Sequence, residues 1–246
     1  MKTNKKANGH GHRRISCRRP RKPSLVVASH ALAVMSSQKE HSGTVEELPL
    51  PVQGRADWRQ YKALRLACGV TVMLVYDWES KTLAESATVN AGATDLRSRS
   101  GLAHFCEHMC FLRSNKDRGE NDYKALLAQH GGRSNASTNL HVTTYSFEIV
   151  ADFGGHAVEL FTQMFLEQLF TAIGTDREVR AVDGENSKNL VADGRRRLPI
   201  LKAMGDSEHY YTKFTTSRLR AGGAKQSDWP NLTVPMLVVA QADTSP

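Results

Sequence analysis

Several things are scarce or missing in this 246-residue chain. It has only four cysteines, Cys17, Cys68, Cys106 and Cys110, with no C-x-x-C pair and no regular cysteine framework. That excludes a disulfide-stapled scaffold and points to a reduced, intracellular setting. No apolar run reaches the roughly 18 residues that a membrane span needs, so no span is expected. No internal repeat is present. Acids are almost missing from residues 1–40, which hold ten Lys/Arg and one acid, Glu40. Taking these from the totals of 33 and 25 leaves 23 basic against 24 acidic residues in the rest. The net charge of +8 therefore belongs to a tail. No nucleic-acid binding by the folded part is expected, because the basic face that it needs is not there.

That tail, residues 1–45, has three readings. Its Arg and Ser content fits a mitochondrial-type presequence. RRPRK, Arg18 to Lys22, fits a nuclear signal or basic patch. The third is a disordered extension upstream of a start at Met35. SLVVASHALAVM resembles a signal-peptide apolar region, but His30 interrupts it. The expected location is intracellular, cytoplasmic or mitochondrial.

What remains is 40% hydrophobic overall and long enough for one good core. Order is expected from about Trp58. KALRLACGVTVMLVYD reads as two strands around a turn at Cys68–Gly69, and Glu85 to Ala93 as a third. Asn121 to His130 reads as a helix ended by Gly131–Gly132. Arg133–Thr138 and Thr143–Val150 read as strands. His156 to Phe170 carries Val158, Phe161, Phe165 and Leu169 at helical spacing. Thr175 followed by Glu178 is a capping-box pattern. It opens a helix expected to run to about Arg197, with Val179, Val182 and Leu190 on its apolar face. AGGAKQSDWP is loop-like, and LTVPMLVVA reads as a last strand with Pro235 at an edge.

The densest chemistry lies in GLAHFCEHMCF, Gly101 to Phe111. On a helix, at about 100° per residue, His104, Glu107 and His108 share one face. Cys106 and Cys110 fall on the other side, which rules out a mixed Cys/His site from this helix and makes them small core residues. Two histidines one turn apart can ligate one Zn²⁺, and a carboxylate beside them can take a proton from a water that the metal activates. The order H-x-x-E-H inverts the usual zincin signature. The alternative is a partly buried helix with incidental polar residues. A catalytic zinc also wants a third protein ligand. Glu178 and Glu185, seven residues apart, share a face of the later helix. Glu178 has a capping role available, whereas Glu185 has no obvious structural duty.

From about Arg59 to Phe214 the chain resembles the amino-terminal domain of the pitrilysin and insulin-degrading-enzyme family of inverzincin zinc metalloproteases. The resemblance rests on RQYKALRLACGVTVMLV, SGLAHFCEHMCFL, NDYKALLAQHGGRSNAST, TTYSFEIV, REVRAVDGENSKN and YTKFTT, in that order. It implies an α+β fold, an antiparallel-rich sheet with helices packed on one face. It implies one Zn²⁺ per chain, held by His104, His108 and Glu185, with Glu107 as general base and Glu178 as the supporting upstream acid. Asn135 and Ala136 match the edge strand where substrate peptides add as an extra strand. The implied activity is that of a metalloendopeptidase acting on peptides or small unfolded proteins. The implied partner is a related second domain or chain that completes a closed chamber.

Residues 58–214 are thus expected to form the peptidase domain, and 215–246 an atypical, truncated ending. Cys106 stands where the family often has Leu. Gly184 stands inside the later helix, next to Glu185. These departures and the short chain keep a second reading open: a non-catalytic or latent subunit that binds peptides or a partner chain.

Overall fold

The computed structural model describes residues 45–93, 101–112, 121–166, 168, 171–192, 197, 200–206 and 209, and the backbone of 236–242. Seven strands form one sheet: β1 (Glu46–Leu48), β2 (Gln60–Arg65), β3 (Thr71–Tyr76), β4 (Thr82–Val89), β5 (Arg133–Thr138), β6 (Thr143–Val150) and β7 (Met236–Ala242). Their order across the sheet is β1-β2-β3-β7-β4-β6-β5. Every pair is antiparallel except β3 with β7. Among the described residues the longer helices are α1 (Leu102–Cys110), α2 (Asp122–Gln129), α3 (Gly154–Leu166) and α4 (Ala172–Val191). This is the expected α+β class with an antiparallel-rich sheet.

Alternation along the strands sets the two faces, because successive side chains point to opposite sides. Leu83 and Ala87 of β4, and Tyr145, Phe147 and Ile149 of β6, turn inward. They pack against Tyr123 and Leu127 of α2 and Val158, Phe161 and Met164 of α3 in one core. Burying each large apolar side chain contributes roughly 1.5–3 kcal/mol, so this layer is the main stabilising contact. A smaller core joins α1 to α4: Leu102, Phe105 and Met109 meet Val182, with Val179 alongside. That contact positions the candidate site.

Several expectations shift. The short strand β1 precedes Trp58 and pairs with β2. β4 begins at Thr82 rather than Glu85, which places Glu85 mid-strand. α3 ends at Leu166, short of Phe170, and Leu169 lies outside the described residues. α4 starts earlier than Thr175: Thr171 is its N-cap and accepts from the Gly174 amide at 3.2 Å. Thr175 already sits inside the helix and donates to the Thr171 carbonyl, so the capping box does not form. α4 also stops at Val191, before Arg197, and the Leu190 side chain lies outside the description. β7 begins within LTVPMLVVA and runs past it to Ala242, but it lies in the middle of the sheet, bonded to β3 on one side and β4 on the other. Pro235 and the AGGAKQSDWP stretch lie outside the described residues. No helix among the described residues is long and apolar enough to cross a membrane.

Candidate metal centre

α1 enters from Gly101, whose φ of 85° lies in the left-handed region that favours glycine. Its buried side, Leu102, Phe105 and Met109, is held by Val182 of α4. With that side fixed, His104 and His108 are turned toward α4, one helical turn apart, their rings 4.8 Å apart and near perpendicular. Glu185 of α4 answers them. Its Oε2 lies 3.5 Å from His104 Nε2 and 3.5 Å from His108 Nε2. One ligand atom from each of the three residues fits within 4.8 Å. Ligands at roughly 2.0–2.2 Å from a tetrahedral zinc stand roughly 3.3–3.6 Å from one another, so the spacing to Glu185 fits such an ion. Two imidazoles and a carboxylate are also a suitable donor set for zinc.

Glu178, one face-repeat before Glu185 on α4, does not cap the helix. Its Oε2 lies 3.3 Å from His108 Nδ1. A carboxylate there accepts from Nδ1–H, which selects the tautomer with a lone pair on Nε2, the nitrogen that faces Glu185. Arg177 Nε stands 3.5 Å from the other Glu178 oxygen.

Glu107 lies between the two histidines in sequence and is 8% exposed. Thr138 Oγ1 donates to its Oε2 at 2.5 Å. Sequence reasoning missed this contact. The available signal was parity: Thr138 follows Ser134 and Ala136 on the half-buried face of β5. Asn135 and Ala136 sit on β5, which stands last in the sheet and pairs with β6. Asn135 is exposed and Ala136 half-buried against the core. Cys106 and Cys110 stay out of the group, as their helix angle requires. Burial pushes both thiols up, Cys110 to about 11, and the Tyr145 hydroxyl donates to Cys110 Sγ at 3.6 Å.

The profile of the insulinase family, peptidase family M16, matches residues 71–204. The chain belongs to the insulinase family. It is 38% identical over 166 residues to an insulin-degrading enzyme-like 1, peroxisomal, of Arabidopsis thaliana, covering 67% of this chain and 17% of that protein. It is 36% identical over 168 residues to a putative zinc protease of Schizosaccharomyces pombe, covering 68% and 17%. Among solved structures, the crystal structure of pitrilysin superposes with a TM-score of 0.72 at 25% identity, over 82% of this chain and 23% of that one. The chain thus spans about 17% of the length of these insulinase-family relatives.

Proposed function

We propose that this chain carries the metal-binding half of a zinc-dependent metalloendopeptidase that hydrolyses peptide bonds in peptides or small unfolded proteins. The observation that carries the reading is the convergence of His104, His108 and Glu185 within 4.8 Å. A zinc ion held there would polarise the scissile carbonyl and make a water acidic enough to lose its proton near neutral pH. Glu107 is the general base: it takes that proton and returns it to the leaving amine. Glu178 keeps His108 in the ligating tautomer. An extended peptide pairs with the β5 edge at Asn135 and Ala136 through main-chain hydrogen bonds, so varied sequences are accepted. Neither proton transfer needs a covalent intermediate.

Residues 58–214 serve as the peptidase domain, 1–45 as a basic tail and 215–246 as an atypical segment; β1 and β7 lie outside 58–214 and join the domain's sheet. Membership in a family of much longer relatives supports a related second domain or chain as partner. The same observation favours a second reading, a latent or non-catalytic subunit that binds peptides or a partner chain. The cysteine pattern supports an intracellular, cytoplasmic location, and the Arg and Ser content of the tail a mitochondrial one.

The test is cleavage of a mixed pool of unstructured peptides by the zinc-loaded chain, with and without a chelator, beside Glu107→Gln. Chelator-sensitive cleavage that Glu107→Gln abolishes while keeping its zinc supports the peptidase reading. Bound zinc without cleavage supports the latent-subunit reading. Full cleavage by Glu107→Gln removes Glu107 as the base.

A further inference from the structure

We propose that Thr138 is a positioning residue for Glu107: its hydroxyl fixes one carboxylate oxygen and leaves the other for proton transfer. This deepens the peptidase reading and rests on Glu107 being the base. The hydrogen bond from Thr138 Oγ1 to Glu107 Oε2, at 2.5 Å, falls in the charge-assisted range. Glu107 is buried, and a carboxylate taken that far from water needs a fixed donor. With Oε2 occupied, Oε1 is the oxygen left to receive a proton.

The hydroxyl is itself held in place. Thr138 ends β5 and pairs across the ladder with Thr143, which begins β6. Thr143 Oγ1 donates to the Ala91 carbonyl at 2.8 Å. A hydroxyl has one proton, so Thr143 has none to offer Thr138, 3.3 Å away. Thr138 could donate to either neighbour, and the carboxylate at 2.5 Å wins over the hydroxyl at 3.3 Å. The hairpin tip is fixed as well. The Ala93 amide donates to the Asn139 carbonyl at 2.9 Å, and the Asn139 amide to the Val142 carbonyl at 2.8 Å. A Cβ on Gly92 would stand 2.4 Å from the Leu140 carbonyl oxygen, so only glycine lets the chain just after β4 lie this close to the turn. Thr138 is also β-branched, which restricts its rotation about χ1. The strand that offers its edge to substrate therefore also carries the group that aims the base.

The experiment compares the full chain with Thr138→Val, which keeps the shape and loses the hydroxyl, and Thr138→Ser, which keeps the hydroxyl. The first readout is the Glu107 carboxyl ¹³C resonance in the metal-free chain, labelled at glutamate and assigned by its loss in Glu107→Gln. It should move in Thr138→Val and stay near its original position in Thr138→Ser. The second readout is peptide cleavage with zinc bound. Thr138→Val should lower kcat by on the order of tenfold to a hundredfold, the scale of a misplaced catalytic group, with KM and zinc content little changed. Thr138→Ser should restore most of it. The proposal is overturned if Thr138→Val leaves the resonance in place, or if Thr138→Ser moves it as far as Thr138→Val does, because packing would then be responsible. If no form of the chain cleaves peptide, the resonance alone decides the positioning, and the peptidase reading is what fails.

Discussion

Glu85→Gln should remove a pH dependence from folding. Glu85 lies on the inward side of β4 between Leu83 and Ala87, both fully buried, and is itself 2% exposed. Neither carboxyl oxygen has a hydrogen-bond partner among the described residues. Burial without a partner disfavours the charged form and raises this carboxyl from 4.5 to about 8. The folded value is thus higher than the unfolded one. Below pH 4.5 the group is neutral in both states, and its contribution to stability is fully present. As pH climbs from there through about 8, the unfolded chain releases the proton first and that stability is lost. Each pH unit in that window costs about 1.4 kcal/mol, so the whole span costs up to about 5 kcal/mol. That is comparable to the entire stability of many domains. The assay is urea unfolding of the metal-free chain and of Glu85→Gln at pH 5, 6.5 and 8. Other titrating groups cancel in the difference between the two proteins. That difference should favour Glu85→Gln increasingly as pH rises. A difference that stays constant across the range would refute the burial of an unpartnered carboxyl at this position.

Other outcomes follow from the geometry. Gly184→Ala should stabilise the chain by up to about 1 kcal/mol in thermal unfolding, because the glycine lies inside α4 and a Cβ there meets nothing within 4 Å. Glu178→Gln should weaken zinc binding about 10–100-fold in a chelator competition titration, since it disturbs the group that orients His108. Thr171→Ala should lower stability by about 1 kcal/mol through loss of the α4 N-cap, read by urea unfolding.

Much of this arrangement is local, and local features are legible. β5 and β6 run over the residues their alternation indicates, and α2 stops where Gly131 adopts a φ of 67°. The face shared by His104, Glu107 and His108 follows from helical periodicity alone. The start of α4 is harder to read, because two threonines four residues apart compete for the cap and Thr171, with its hydroxyl on the Gly174 amide, takes it. That freed Glu178 to reach His108, a contact across 70 residues that no spacing rule encodes. β7 lies in the middle of the sheet for a similarly non-local reason. Its two neighbours, β3 and β4, are joined by residues 77–81 and part to admit a strand from far along the chain. Glu85 is a different case. Its parity with Leu83 and Ala87 was visible in the sequence, but an acid on a strand reads as solvent-facing until burial is known.

The proposed peptidase depends on α1 and α4 together holding zinc through His104, His108 and Glu185. Metal analysis of the purified chain after zinc loading and desalting, beside Glu185→Ala, tests it most directly. One zinc per chain, falling far below one in Glu185→Ala with the fold intact by circular dichroism, is the predicted result. No retained zinc in the unmodified chain, or full occupancy in Glu185→Ala, would contradict it.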